Sequence, residues 1–241
     1  MKAQLRIDDL RAWYGAAQVL HGVHLCIDEG EAVALVGRNG SGRSTLAKAI
    51  MGLVRCAGDM RYRDVQLVGL RAHRIARLGI GYVPETRDVF PALTVRENLV
   101  LGERRGTRFR LRDAYRLFPV LEERASVKAG ALSGGEQQML ALARTLTGDP
   151  SLVVIDEPGE GLAPQVLAEV AACLAMLRNR GVATLLIEER LTIARTLDAR
   201  VAVMGHGAIQ FDGTIETLAR DEAISRQWLS VGGTFDSSQY A

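Results

Sequence analysis

The sequence predicts an α/β fold: a parallel sheet around a phosphate-binding loop, with an antiparallel β portion before it and an inserted helical portion. Three observations predict this. Ala32-Val33-Ala34-Leu35-Val36 is an unbroken apolar run, and it leads into Gly37-Arg38-Asn39-Gly40-Ser41-Gly42-Arg43-Ser44-Thr45. A stretch of good helix formers, Thr45 to Met51, follows and stops at Gly52, so the order is buried strand, Gly-rich turn, helix. Second, Leu152-Val153-Val154-Ile155 is another buried run, and it ends in Asp156-Glu157-Pro158. Third, residues from about 85 to 146 read as mostly helical while both flanks alternate strand and helix, the mark of an inserted lobe.

Taken in order, residues 4–8 and 18–27 carry short alternating or apolar runs and read as an antiparallel strand pair. Between them lies Trp13-Tyr14-Gly15. An aromatic ahead of a nucleotide loop can stack on a flat base, but local sequence alone favours core aromatics on a strand, with the two rings on opposite faces. Asp59–Leu67 reads as strand or turn, Ala72–Leu78 as a short helix, and Ile80–Val83 as a strand ended by Pro84. Thr94 with Glu97 three residues later is a capping box opening a helix through Leu101.

Residues 103–112 form a basic cluster with one aromatic. Contact with nucleic acid or anionic lipid is one reading, and a solvated loop between helices is the favoured one, because the cluster is short and isolated. Asp113–Leu121 is helical around Pro119. Leu132-Ser133-Gly134-Gly135-Glu136-Gln137-Gln138 opens a helix through Leu146, and Ser133-Gly134-Gly135 at its start is a second anion-binding turn. Beyond Asp156-Glu157, Pro164–Arg178 is an amphipathic helix and Ala183–Ile187 a buried strand followed by Glu188-Glu189-Arg190. Arg200–Met204 and Ala208–Phe211 read as closing strands, short helices fill 215–230, and 231–241 reads as a flexible tail.

Composition narrows the function. With 241 residues and 48% hydrophobic content, the chain can build one large domain with an inserted lobe. A net charge of +2 gives no global case for nucleic acid. Cys26, Cys56 and Cys173 lack C-x-x-C spacing, so reduced thiols are expected and neither a disulfide framework nor a zinc site. No export signal and no apolar run of about eighteen residues is visible, so work at a membrane would need other chains as anchors.

The chemistry lies in the loop and the acidic pair. Glycines let successive N–H groups point inward as an anion nest, and the helix N-terminus adds its dipole. Ser44 is placed to ligate Mg²⁺ beside the phosphates. The pattern G-x-x-x-x-G-K-[ST] has Lys where this chain has Arg43. Lys is a compact point charge and Arg a larger planar fork. Two acids at the C-terminal end of a central strand lie beside the phosphate crevice of an open α/β sheet. Asp156 would hold Mg²⁺, and Glu157 would orient or deprotonate the attacking water.

Together these motifs resemble the ATP-binding subunit of an ABC transporter, and within that superfamily the branched-chain amino acid importers. The likeness runs from about Leu5 to Leu229, with Leu132–Gln138 as the signature motif and Val153–Pro158 as the second Walker motif. The subfamily likeness rests on Tyr14-Gly15, Gln18–Val23, Gly79–Glu85, Val89-Phe90-Pro91, Gln137–Leu140 and Gly161–Pro164. The resemblance implies a P-loop NTPase core of the ABC type. Residues 1–84 and 147–230 would be its two parts, and 85–146 the signature-bearing helical subdomain. It implies ATP and Mg²⁺ as ligands, and Tyr14 as the adenine-stacking residue. It also implies a dimer in which each ATP is held by one chain's phosphate loop and the other chain's Ser133-Gly134-Gly135-Glu136.

The implied partners are membrane-spanning permease subunits, touched near residues 85–93, a second ATP-binding subunit, and indirectly a substrate-binding protein. Nucleic acid is not expected. The implied location is the cytoplasmic face of the inner membrane. Glu85 stands where the superfamily has a Gln that senses Mg²⁺ and the γ-phosphate, and Glu189 where it has a switch His. Glu is common at the first position in this subfamily; at the second Gln is common, and an acid is a departure. Arg43 and Glu189 fall in the same composite site, so these departures predict an asymmetric heterodimer in preference to a homodimer: the site on this chain's own loop binds ATP but hydrolyses it slowly, and its intact signature completes a partner's site. A chain using ATP only as dimer glue is the alternative.

Overall fold

The computed structural model describes residues 3–104 and 106–229. The tail 231–241, expected to be flexible, lies outside the described residues. The fold is α/β with two sheets. The first is antiparallel, in the order β2 (Ala17–Asp28), β1 (Ala3–Tyr14), β4 (Arg55–Tyr62), β5 (Val65–Gln66). The second has six strands in the order β10 (Ala208–Gly213), β9 (Arg200–Gly205), β3 (Ala32–Val36), β8 (Ala183–Ile187), β7 (Leu152–Asp156), β6 (Ile80–Val83). Within it β9, β3, β8, β7 and β6 run parallel, and β10 is an antiparallel edge.

Strand alternation sorts the core into two layers. Val33 and Leu35 of β3 face one way, with Leu185, Ile187, Leu152 and Val154, and meet Leu5, Ile7, Leu20 and Met60 of the antiparallel sheet. Helix α1 (Arg43–Ile50) packs Leu46, Ala47, Ala49 and Ile50 into that same layer, between the sheets. Ala34, Val36, Val153, Ile155 and Leu186 face the other way, toward the remaining helices. Every residue of β3, β7 and β8 is buried, as strands covered on both faces require.

Between β6 and β7 come α2's successors in the chain: α3 (Val95–Gly102), α4 (Leu111–Leu117), α5 (Pro119–Glu123) and α6 (Gly134–Thr147); α2 (Ala72–Arg77) precedes β6. Thr94 and Glu97 make the expected capping box on α3. Phe118, Leu121, Val95, Leu99, Met139 and Leu140 are continuous with the sheet's second layer, so these helices share the sheet's core. After β7 come α7 (Pro164–Asn179), α8 (Thr192–Thr196), α9 (Ile215–Arg220) and α10 (Glu222–Trp228).

The sequence reading breaks the first strand at residue 8, and the structure carries it through Tyr14. The cause is a bulge. Asp9 has φ 48°, and pairing with both neighbours shifts register there. The bulge resets the alternation, so Leu10 and Ala12 point inward after Ile7. Gly58 on β4 makes room: a side chain there would stand 2.5 Å from the Asp9 carbonyl oxygen. Trp13 is half-buried with the Arg55 guanidinium 5.0 Å from its ring, and Tyr14 is 46% exposed. The described residues of the basic stretch form a loop up to α4, with Arg108 paired to Asp149 at 3.2 Å and Arg104 donating to the Ala76 carbonyl at 2.6 Å.

Candidate nucleotide site

The C-terminal ends of β3, β8 and β7 lie side by side and carry, in turn, the Gly-rich loop, Glu188-Glu189 and Asp156-Glu157. This is where open α/β sheets bind ligands. A cleft of about 910 Å³ opens there, lined by residues 39–45, Glu85, Glu157, 159–162, 188–190 and Thr192 among others. Gly37 is buried behind the loop and Arg38 is exposed beside it.

Two contacts join the loop to the acidic pair. The Ser44 hydroxyl donates to Asp156 Oδ1 at 3.1 Å. Asp156 is 2% exposed; burial pushes its pKa up, the Ser44 hydrogen bond opposes this, and the nearby Glu85 carboxylate adds to it. Arg43, the first residue of α1, is 6% exposed. Its Nη1 lies 2.8 Å from Glu157 Oε1 and its Nη2 donates to Asn39 Oδ1 at 3.1 Å. The Glu157 contact is close but off-axis, an ion pair and not an aligned hydrogen bond. Burial pushes the Glu157 carboxyl up; Arg43 and the Glu189 N–H, which donates to Oε2 at 3.1 Å, pull it down. Glu157 sits just past β7 at φ 47°, with its own N–H donating to the Ile187 carbonyl at 2.8 Å. A non-glycine residue in the left-handed region is a strained one, and here the turn aims the carboxylate across β8 at the loop.

The loop also has an orphan. Ser41 Oγ is buried without a hydrogen-bond partner, which fits a nest that takes an anion's oxygen. Support comes from far along the chain. The Gly207 N–H donates to the Ser41 carbonyl at 2.9 Å, and the Gly207 carbonyl accepts from the His21 N–H at 2.8 Å. Any side chain at Gly207 would collide with the Val19 carbonyl.

Glu188 is a site residue that the sequence reading passes over. It follows β8 directly, is 6% exposed, and accepts from the Ala194 N–H at 2.9 Å and the Ile193 N–H at 3.4 Å. Burial pushes its pKa up to about 8. It thereby fixes the start of α8, a helix the sequence does not announce, directly after Glu189 and Arg190. The signal was available: Glu188 follows a buried strand just as Asp156 ends one.

Tyr14 and residues 133–136 do not line this cleft. Ser133 and Gly134 are exposed at the start of α6. The Ser133 hydroxyl accepts from the Glu136 N–H at 3.2 Å, and the Glu136 carboxylate from the Ser133 N–H at 2.8 Å, a complete capping box. Within this chain the signature turn and the phosphate loop are therefore separate surfaces.

Comparison with known proteins agrees with this geometry. The ABC transporter family model matches residues 20–160. The branched-chain amino acid transport ATP-binding protein BraG of Pseudomonas aeruginosa is 38% identical over 230 residues, 93% of this chain and 99% of that protein. The lipopolysaccharide export ATP-binding protein LptB of Haemophilus influenzae is 30% identical over 238 residues, 93% of this chain and 96% of that protein. The solved ADP conformation of MJ1267, an ATP-binding cassette of an ABC transporter, superposes with TM-score 0.79 at 26% identity, covering 93% of this chain and 97% of that one. The chain is a member of the ABC transporter family, an ABC-type ATPase domain that binds nucleotide.

Proposed function

We propose that this chain is the ATP-binding subunit of an amino acid importer, of the branched-chain class, and that the site on its own phosphate loop turns ATP over slowly. The 38% identity to BraG supports the cargo class, against 29–33% to relatives named for export. The chain would sit on the cytoplasmic face of the inner membrane. No helix among the described residues is long and apolar enough to cross a membrane, so permease subunits would anchor it. Residues 85–146 would form the lobe that meets them, near Phe90, which is 50% exposed.

In this reading residues 37–45 hold the phosphates, Tyr14 stacks on the base, and Ser44, Asp156 and Glu85 hold Mg²⁺. The cleft lining carries Glu85, Glu157, Glu160, Glu188 and Glu189 against Arg43 and Arg190. So acidic a lining suits a triphosphate only with a divalent cation. No group of three or more His, Cys, Asp or Glu among the described residues could hold a metal alone, which suits Mg²⁺, an ion usually held by one or two protein oxygens plus phosphates. Mg²⁺ would neutralise phosphate charge. Glu157 would take the proton of the attacking water once freed from Arg43. The exposed Ser133-Gly134-Gly135-Glu136 turn would complete the ATP site of a second subunit, a distinct chain or another copy of this one.

The single observation that carries the slow-site reading is the Arg43–Glu157 ion pair at 2.8 Å. It engages the phosphate-binding cation and the candidate base with each other. It also favours the alternative, a module that binds ATP and does no chemistry itself. Turnover by the assembled transporter, with Arg43→Lys beside wild type, tests the proposal. Lys cannot span both Asn39 and Glu157, so turnover at this chain's own site, read with the partner's site inactivated, should rise by about 10²–10³-fold, the order of regaining one transition-state donor. No gain with correct assembly sinks the slow-site reading. Complete absence of turnover in both leaves the nucleotide-glue module.

A further inference from the structure

The turn between β9 and β10 touches both the phosphate loop and the last described helix. His206 and Gly207 hold left-handed backbone, at φ 48° and 72°, and Gly205 pairs with Ala208 across them, which makes a two-residue hairpin turn. The Gly207 N–H donates to the Ser41 carbonyl at 2.9 Å. Gly42 lies against the same hairpin: a methyl group there would stand 3.3 Å from Met204 Sδ and 3.4 Å from Gly207 Cα. In a trans peptide the C=O and N–H point opposite ways. Holding the Ser41 carbonyl toward the turn therefore aims the Gly42 N–H away from it. That N–H makes no hydrogen bond among the described residues, and Gly42 lines the cleft.

From the C-terminal side, Trp228 bears on this turn. Ile224 and Trp228 are four residues apart on α10 and share a face. Both pack against the core layer that includes Val201 and Val203 of β9. The indole lies on Gly205, where a methyl group would fall 2.2–2.6 Å from three of its ring carbons. The His206 imidazole meets the indole edge-on, with ring centroids 5.0 Å apart and planes at 83°. A non-glycine residue at positive φ persists where its surroundings hold it, and the indole holds His206.

We propose that Trp228 is a positioning residue for the phosphate loop: by seating Gly205 and His206 it sets the turn from which Gly207 holds the Ser41 carbonyl, and so aims the Gly42 N–H at a bound phosphate. Helix α10 lines no part of the cleft, yet nucleotide affinity depends on it. The phosphate part rests on the reading of residues 37–45 given above; the brace from Trp228 to Gly207 does not.

Titration of the whole chain with MgATP, beside amide exchange at Gly207, tests this. Trp228→Ala should raise the Kd about fivefold and Gly207 exchange by a similar factor, the order of loosening one loop hydrogen bond. Trp228→Phe keeps a ring on Gly205 and should recover most of both. Gly205→Ala displaces the indole without deleting it, and Gly205 is outside the left-handed region, so its backbone accepts Ala. It should give the same loss, and no further loss when combined with Trp228→Ala, since the methyl then has room. Where Trp228→Ala does not fold, Gly205→Ala and Trp228→Phe carry the test. A lower melting temperature with unchanged Kd and unchanged Gly207 exchange overturns the proposal, because packing alone would do that. Additive losses in the double variant overturn it too. Absence of MgATP binding in wild type overturns the reading of the loop, and Gly207 exchange in the variants still decides the brace.

Discussion

The phosphate-loop face and the signature face use the same physics and arrive at opposite conditions. Each presents a helix N-terminus behind a Gly-rich turn. At α6 the capping box satisfies the turn internally, between Ser133 and Glu136, and leaves Ser133 and Gly134 exposed. At α1 there is no side-chain cap, and the first residue, Arg43, is pulled inward to Glu157 and Asn39. One face is capped by its own chain and left exposed, and the other has its own charges paired. The difference teaches that an intact motif and an available site are separate properties. A single Lys-to-Arg change alters the second because the longer fork reaches a neighbour.

The largest expected effect tests that contrast directly. In a transporter assembled with a distinct second ATP-binding subunit, Ser133→Glu should lower ATPase about 10²–10³-fold by setting a carboxylate where a phosphate must approach, while Glu157→Gln should cost less than about threefold, since its site contributes little. Similar losses in the two variants would point to a second copy of this chain, with both faces serving equally active sites. Stability against pH gives the next effect. The folded pKa of Glu188, about 8, lies above its ordinary value of 4.5. Its neutral form therefore favours the fold, a contribution complete below pH 4.5 and lost as pH rises through 8. Glu188→Gln should flatten that decline and raise the melting temperature by on the order of 5 °C at pH 8. An unchanged profile would mean Glu188 is ionised in the fold. The smallest effect belongs to Glu189, whose side chain is exposed. Glu189→Gln should tighten MgATP binding about two- to fivefold, the range of a solvent-screened charge, read by equilibrium titration; a larger gain would place the carboxylate nearer the phosphates than its exposure implies.

Much of this was legible. The buried strands β3, β7 and β8 announce themselves as apolar runs, because covering on both faces leaves no polar positions. The capping box at Thr94 is local chemistry and reads directly; Ser133 with Glu136 three residues later carries the same signal, but the sequence reading takes that turn only as an anion site. What the sequence hid depends on neighbours. The Asp9 bulge breaks the alternation that strand reading uses, and its room comes from Gly58 on another strand. That Arg43 meets Glu157 requires β8 to lie between β3 and β7, an ordering no local pattern encodes. Glu188 was overlooked because its partners, the N–H groups of Ile193 and Ala194, start a five-residue helix with no cap signal of its own.

The turn between β9 and β10 has a consequence for how the protein is made. Gly207 bonds both Ser41 and His21, so the nucleotide loop is braced by a hairpin synthesised more than 160 residues after it. Contacts that distant in sequence form late, after the entropy of closing the loop has been met. A ribosome-bound nascent chain displaying the whole Gly-rich motif would therefore not yet hold ATP well, and nucleotide affinity during synthesis should appear only when the C-terminal hairpin docks. The ligand becomes a check on completion: it rewards a finished fold, and a chain truncated before β9 gains nothing from it.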